Sequence, residues 1–154
     1  MNSGVDGSTL LIVDDEPDIL LLLDQHLQDD GYHTLTATTG TEAISLARSR
    51  HPDLILLDVM MPGMSGFDVC NLLQDSAETR GIPVIFLTAV AETPKKVMGL
   101  RLGAEDYVTK PFDLRELSAR VSVALRRARL QSGGMAEGAA GDTIPGPEET
   151  GGAL

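Results

Sequence analysis

The chain has 154 residues and a formal net charge of −11, with 42% hydrophobic and 23% charged residues. These proportions are typical of one globular domain and exclude wholesale disorder and fibrous folds. The single cysteine, Cys70, excludes a disulfide framework or a cysteine-rich zinc site. The acidic balance argues against nucleic acid as a direct ligand, because binding to phosphates requires clustered lysine and arginine. No apolar run approaches the ~20 residues of a membrane span and no signal-peptide pattern begins the chain, so we expect a cytoplasmic location and no membrane contact.

The composition divides the chain into three parts. The last segment is rich in glycine and proline and has no hydrophobic period, so it cannot bury enough apolar surface to offset the entropy of ordering. We therefore predict a disordered N-terminus over 1–8, one folded domain over 9–130, and a disordered tail or truncated linker over 131–154.

Short apolar runs alternate with amphipathic segments along the folded part. In chain order, the predicted strands are Leu10–Val13, Tyr32–Thr38, Leu54–Leu57, Val84–Leu87 and Tyr107–Thr109. The predicted helices are Pro17–Asp29, Thr41–Arg50, Phe67–Asp75, Pro94–Leu102 and Leu114–Leu130. Near-continuous apolar strands are typical of a parallel sheet covered on both faces. The alternation therefore predicts an α/β fold with right-handed crossovers.

Four of the predicted strands end in polar residues, namely Asp14-Asp15, Asp58, Thr88 and Lys110. Ligands bind at the carboxyl edge of such a sheet, so we expect these side chains to meet there. Three neighbouring carboxylates repel one another unless a cation lies between them. Oxygen-only ligands favour Mg²⁺, or Mn²⁺, over zinc. Taken singly, each residue has a plainer explanation, such as a helix cap for either of the first two aspartates.

Five segments follow one another in a specific order. They are Asp14-Asp15-Glu16-Pro17, Asp58 with Met61-Pro62-Gly63-Met64-Ser65-Gly66, Phe86-Leu87-Thr88-Ala89, Gly103-Ala104-Glu105-Asp106-Tyr107 and Lys110-Pro111-Phe112. Together they resemble the receiver domain of two-component response regulators over residues 9–130. The resemblance implies a flavodoxin-like, doubly wound sheet of five parallel strands in the order 2-1-3-4-5, with five helices.

The resemblance also implies a phosphorylation site. Asp58 would accept a phosphoryl group from a phosphohistidine of a sensor histidine kinase or phosphotransfer protein. Asp15 and Asp58, with the backbone carbonyl of Met60, would hold Mg²⁺, and Asp14 would act partly through water. Such a domain promotes its own phosphorylation and dephosphorylation, and it is not an enzyme acting on an external metabolite.

Three further residues would contact the phosphoryl group in this family. Lys110 would pair with Asp58 before transfer and with a phosphoryl oxygen afterwards. Thr88 would donate its hydroxyl to a second oxygen, and the backbone N–H of Ala89 would serve a third. Lys110-Pro111 resembles the cis peptide of the family.

The same resemblance implies a switch and a surface for self-association. Thr88 would move toward the phosphoryl group while Tyr107 turns inward. The fourth predicted helix, the fifth strand and the last helix would form a face that supports a phosphorylation-enhanced homodimer. Its expected intersubunit pairs are Lys96 with Glu116 and Asp106 with Arg120.

Two apolar residues beside the pocket bear on how long the signal lasts. Met60 and Val90 lie two residues beyond Asp58 and Thr88, respectively. Neither offers a hydrogen bond to a hydrolytic water, so we expect a comparatively long-lived phosphorylated state.

Two other functions are compatible with part of the pattern. A Mg²⁺-dependent phosphohydrolase of the haloacid dehalogenase type would carry D-x-D-x-T after its first strand, whereas 14–18 reads D-D-E-P-D. A receiver fold used as an unphosphorylated interaction module would not require the complete polar set. The sequence indicates neither the kinase nor the downstream output.

Overall fold

The computed structural model describes residues 7–89 and 104–138, with side chains up to Gln131. The strands are β1 (Thr9–Val13), β2 (His33–Ala37), β3 (Leu54–Asp58), β4 (Val84–Thr88) and β5 (Asp106–Thr109). The helices are α1 (Pro17–Asp29), α2 (Gly40–Arg50), α3 (Gly66–Gln74) and a C-terminal helix (Leu114–Gly138).

All five strands run parallel in one sheet, in the order β2-β1-β3-β4-β5. The predicted fold class and strand order are therefore confirmed. Since β1 lies beside β3, with Val13 opposite Leu57, the residues that follow these two strands share one edge of the sheet.

Alternation along the strands divides the core into two layers. Leu10 and Ile12 of β1 pack with α1 and the C-terminal helix on one face. Leu11 and Val13 pack with α2 and α3 on the other. Because helices cover both faces, the interiors of β1, β3 and β4 are buried, and chemistry on these strands is confined to their ends.

Local sequence signals explain where the helices begin. Pro17 occupies the first turn of α1, where its missing N–H costs nothing. Thr39 caps α2 through the N–H of Glu42, and Ser65 forms a reciprocal capping box with Asp68 at the start of α3. These starts fall within one residue of the predicted ones.

The C-terminal helix continues past its predicted end at Leu130. It runs to Gly138, whereas the domain boundary at 130 stays a prediction. Each added residue extends the hydrogen-bond ladder, and the first proline after Leu114 is Pro145. The remainder of the predicted tail lies outside the described residues, as does the predicted helix Pro94–Leu102.

At the other end of the described chain, Gly7 and Ser8 form hydrogen bonds with the segment around β2. Gly7 donates its N–H to the carbonyl of Gly31, and the carbonyl of Ser8 accepts from His33. Within the described ranges, no helix has the length and hydrophobicity needed to cross a bilayer.

Candidate functional site

Three carboxylates lie together where β1 and β3 end. Asp14, Asp15 and Asp58 each offer an oxygen, and these oxygens all lie within 4.8 Å of one another. Asp14 is 0% exposed and Asp58 only 2%, while Asp15 is half-buried. The strand register therefore produces the convergence that the strand-end pattern predicted.

The two carboxylate oxygens of Asp14 have different partners. Its Oδ1 accepts the backbone N–H of Glu16 at 2.9 Å. Its Oδ2 is buried and accepts no well-directed hydrogen bond from the described residues, although the Nζ of Lys110 lies 3.0 Å away. A buried carboxylate oxygen without a full set of donors is costly, so this oxygen favours an additional cationic partner.

Asp58 is a carboxyl group whose ionisation is opposed by its surroundings. Burial, followed by the charge of Asp14, raises the pKa of Asp58 from 3.8 to about 7. Lys110 and the backbone N–H of Met60 act against that rise. The Met60 N–H donates to Oδ1 at 3.2 Å, and Lys110 Nζ lies 3.5 Å from the same oxygen. The ionisation of Asp58 therefore depends strongly on any cation that enters the cluster.

Lys110 reaches this cluster from the end of β5. Its backbone N–H donates to the carbonyl of Thr88 at 2.7 Å, and the Lys110–Pro111 peptide bond is cis, as the resemblance implied. Burial opposes its charge, but the contacts with Asp14 and Asp58 prevail and raise the pKa of Lys110 above its ordinary value. Its side chain is 14% exposed, so the ammonium is largely withdrawn from water.

Glu16 is a member of the site that the sequence did not reveal. Lys110 donates to its Oε1 at 3.2 Å. The two residues are 94 positions apart, and no local pattern links a glutamate at a helix start to a lysine after the last strand.

Thr88 and Tyr107 lie on neighbouring strands. Thr88 is 5% exposed at the end of β4. Tyr107 is half-buried and its ring centroid is 5.6 Å from that of Phe86. Ala89 follows Thr88 and is exposed, whereas Val90 lies outside the described residues.

The loop after β3 is pressed against the backbone of Asp58. A Cβ at Gly66 would lie 2.3 Å from the Asp58 carbonyl oxygen, so only glycine permits this approach. The N–H of Gly66 donates to the carbonyl of Val59 at 2.9 Å. In the loop between β3 and α3, Met60 exposes 59% of its surface and lies beside the pocket, where its backbone N–H contacts Asp58.

The residues of the predicted dimer face are paired within the chain. Arg120 contacts Asp106 at 2.6 Å and Glu116 at 2.9 Å. Lys96 lies outside the described residues, so its predicted pairing with Glu116 is not visible.

The carboxylate cluster fits a divalent cation. All of its side-chain donors are oxygens, which Mg²⁺ and Mn²⁺ prefer. The buried Oδ2 of Asp14 accepts no well-directed hydrogen bond from the described residues, and burial together with the charge of Asp14 raises the pKa of Asp58; a bound cation would relieve both.

Comparison with known proteins identifies the family. The family described as "Response regulator receiver domain" matches residues 10–122. The chain is 46% identical over 121 residues to the alkaline phosphatase synthesis transcriptional regulatory protein PhoP of Bacillus subtilis, covering 79% of the chain and 50% of that protein. It is 44% identical over 118 residues to the DNA-binding response regulator MtrA of Mycolicibacterium smegmatis, covering 77% and 50%, respectively. The chain thus spans about half the length of these relatives.

A solved structure shows the same architecture. A putative response regulator from Chloroflexus aurantiacus superposes with a TM-score of 0.76 at 35% identity, covering 79% of the chain and 100% of that structure.

Proposed function

The chain belongs to the family of response regulator receiver domains of two-component systems, and we propose from this premise that Asp58 is its phosphoacceptor. The observation that carries the proposal is the buried cluster of Asp14, Asp15 and Asp58 with Lys110 beside it. Asp58 ends β3, contacts Lys110 and offers a carboxylate oxygen that can act as a nucleophile.

The transfer follows from the chemistry of the acceptor. An Oδ of Asp58 attacks the phosphorus of a phosphohistidine, and the P–N bond breaks with its electron pair leaving on the imidazole. The product is an acyl phosphate on Asp58 and a neutral histidine on the donor after protonation. Hydrolysis of the acyl phosphate later restores the carboxylate.

Lys110 and its neighbours orient the group after transfer. The ammonium of Lys110, already 3.5 Å from Asp58 Oδ1, needs only a short movement to pair with a phosphoryl oxygen. Thr88 donates its hydroxyl to another oxygen, and the N–H of Ala89 serves the third. Electrostatic stabilisation by such donors is the main contribution of a site of this kind.

A divalent cation completes the pocket. Asp15, Asp58 and the backbone carbonyl of Met60 would hold Mg²⁺, or Mn²⁺, and Asp14 would contribute partly through water. When bound, the ion would offset charge on the carboxylates and on the incoming phosphoryl oxygens. The chain thereby promotes its own phosphorylation and autodephosphorylation, and we propose no reaction on an external substrate.

A conformational change would carry the effect of phosphorylation from the pocket to the neighbouring strand and helix. We propose that Thr88 moves toward the phosphoryl group and that Tyr107 turns further inward along Phe86, which its ring already contacts. This couples the pocket to β5 and the C-terminal helix, where Arg120 and Asp106 lie.

The partners follow from the family. Receiver domains interact with histidine kinases or phosphotransfer proteins, and we propose such a cytoplasmic partner for this chain. We also propose a phosphorylation-enhanced homodimer through the face that carries Asp106, Glu116 and Arg120. The relatives from Bacillus subtilis and Mycolicibacterium smegmatis are named as a transcriptional regulatory protein and a DNA-binding response regulator, respectively. We propose no direct nucleic-acid contact for residues 9–130 of this acidic chain.

The test is covalent phosphorylation by a small donor. Incubation with Mg²⁺ and acetyl phosphate is expected to add one phosphoryl group to the wild-type chain, measured by intact mass. Asp58→Asn is expected to remain unmodified, whereas Asp75→Asn, which changes an exposed carboxylate at the end of α3, is expected to react normally. Modification of Asp58→Asn at the wild-type level would refute the assignment, and an unreactive wild type would favour an unphosphorylated interaction module.

A further inference from the structure

The side chain of Glu16 forms no capping hydrogen bond with its own helix. Glu16 is the N-cap residue of α1. Glutamate is not among the residues preferred at this position, where serine, threonine, aspartate and asparagine serve best. The side chain instead extends to Lys110, whose Nζ donates to Oε1 at 3.2 Å. A tertiary contact therefore accounts for the residue better than its local role does.

The ammonium of Lys110 has three N–H donors and three carboxylates around it. Asp14 lies at 3.0 Å, Glu16 at 3.2 Å and Asp58 at 3.5 Å. Two of the three, Asp14 and Asp58, also belong to the cluster that would hold the divalent cation. Glu16 does not belong to it, and its side chain is 60% exposed.

The cation and Lys110 thus require the same oxygens. A divalent ion would offset two of the three negative charges of the cluster and repel the neighbouring ammonium. The attraction of Lys110 to Asp14 and Asp58 would then be weaker. Glu16 is the partner that remains, at the mouth of the pocket and outside the ligand set.

We propose that Glu16 is a positioning residue that retains the Lys110 ammonium beside the pocket while a divalent cation occupies the Asp14–Asp15–Asp58 cluster. The inference rests on the cation site of the proposed function. Without Glu16, Lys110 either competes with the cation for Asp14 and Asp58 or moves into solvent. The cation binds less tightly, because its arrival displaces Lys110 from Asp14 and Asp58 with no other carboxylate to receive the ammonium. Lys110 is then also less well placed for a phosphoryl group.

The expected strength of the Lys110–Glu16 ion pair follows from the exposure of its two side chains. The pair has one largely buried partner and one exposed partner, so its strength lies near the upper end of the range for surface ion pairs. We expect Glu16→Gln to weaken Mg²⁺ binding about threefold.

A double-mutant cycle separates this role from a simple loss of charge. Mg²⁺ alone is titrated by calorimetry into the wild type, Glu16→Gln, Lys110→Met and the double variant, without any phosphodonor. The threefold effect of Glu16→Gln is expected only when Lys110 is present. Asp18→Asn is the matched control, since it removes an exposed charge from the same helical turn and makes no ion pair with Lys110 among the described residues.

Each outcome decides the inference. An equal effect of Glu16→Gln with and without Lys110, or an effect no larger than that of Asp18→Asn, would show that only long-range charge is involved. Mg²⁺ binding unchanged by Glu16→Gln would overturn the inference and leave the proposed function standing. No Mg²⁺ binding to the wild type would overturn both.

A second measurement does not depend on a Lys110 variant. The side-chain ammonium resonance of Lys110 is expected to stay protected from solvent exchange in the Mg²⁺-loaded wild type. The same resonance is expected to lose its protection in Mg²⁺-loaded Glu16→Gln. Equal protection in the two proteins would contradict the inference.

Discussion

The ammonium of Lys110 lies 3.0 Å from Oδ2 of Asp14, a fully buried oxygen that accepts no well-directed hydrogen bond within the described structure. Lys110 therefore supplies positive charge to a pocket whose neighbouring charged side chains are carboxylates. A divalent cation can take over that function, so the stability of the protein and the occupancy of the site are linked.

Removal of Lys110 is expected to destabilise the protein when no divalent cation is present. Lys110→Ala leaves the buried Asp14 without its ionic partner, at a cost of about 1–3 kcal/mol. The loss stays in this range because Asp58, with its pKa near 7, can take up a proton and relieve the repulsion. Urea unfolding in the presence of a chelator measures the change. The control is the same variant with saturating Mg²⁺, where most of the stability is expected to return; an equal loss in both conditions would contradict the linkage.

The raised pKa of Asp58 predicts that stability falls as pH rises. The folded protein holds a proton on Asp58 up to about pH 7, whereas the unfolded chain releases it near 3.8. Between these values the folded state binds more protons, so its free energy of unfolding decreases with increasing pH. The stabilisation that comes from the proton on Asp58 is fully present below pH 3.8 and is lost as the pH rises through about 7. Urea midpoints measured with a chelator between pH 4 and pH 8 test this slope.

Asp58→Asn is the control for that slope, because it keeps the shape and removes the titration. The variant is expected to have a flatter profile than the wild type and greater stability above pH 7 without Mg²⁺. Parallel profiles for the two proteins would show that Asp58 is not the group responsible.

Much of the fold could be predicted because its signals are local. Pro17 and Ser65 begin helices in ways that the sequence shows directly, and the buried run Leu54–Asp58 has the composition of a covered parallel strand. The end of the C-terminal helix was predicted wrongly because the glycine-rich composition near 133 favours a boundary, while propagation of the helix to Gly138 depends on its hydrogen-bond ladder.

Only the site residues that directly follow a strand could be predicted from the sequence. Asp14, Asp58 and Lys110 follow apolar runs, so their meeting at one edge follows from topology. Glu16 carries no such signal, since its partner is fixed by tertiary structure. The reason for glycine at position 66 is also tertiary, because only the folded structure shows that a Cβ there would lie 2.3 Å from the Asp58 carbonyl oxygen.

Gly66→Ala is expected to disturb the pocket through the backbone of Asp58. The added methyl group would overlap the Asp58 carbonyl oxygen and lie 2.9 Å from the Cα of Val59, so the loop or the strand end must move. Overpacking of this kind costs about 1–3 kcal/mol, and we expect slower phosphorylation by acetyl phosphate. Gly81→Ala, where a Cβ meets nothing within 4 Å, is the control. Wild-type stability and phosphorylation rate in Gly66→Ala would contradict the close approach.

Arg120 is expected to affect association more than stability. Its pairs with Asp106 and Glu116 are partly exposed, so Arg120→Ala is expected to change the free energy of unfolding by only ~0–1 kcal/mol. If these charges exchange to a second copy on phosphorylation, the variant will remain monomeric when treated with a phosphoryl mimic. Sedimentation velocity measures this, with Arg115→Ala on the same helix as the control. A wild type that stays monomeric with the mimic would refute the dimer.

The lifetime of the phosphorylated state is expected to depend on Met60 and Val90. Hydrolysis of the acyl phosphate on Asp58 needs an aligned water, and neither apolar side chain can hold one by a hydrogen bond. Met60 is long, 59% exposed and next to the pocket, so it can also cover the phosphoryl group. We expect Met60→Asn combined with Val90→Glu to accelerate dephosphorylation roughly tenfold, a barrier change of ~1.4 kcal/mol. Decay of phosphorylated protein, purified away from the donor, gives the rate. Met60→Leu keeps an apolar cover and is expected to decay as the wild type does, so that a faster decay in the double variant reflects its polar groups. Equal lifetimes in the wild type and the double variant would show that Mg²⁺ and Lys110 alone govern the hydrolysis.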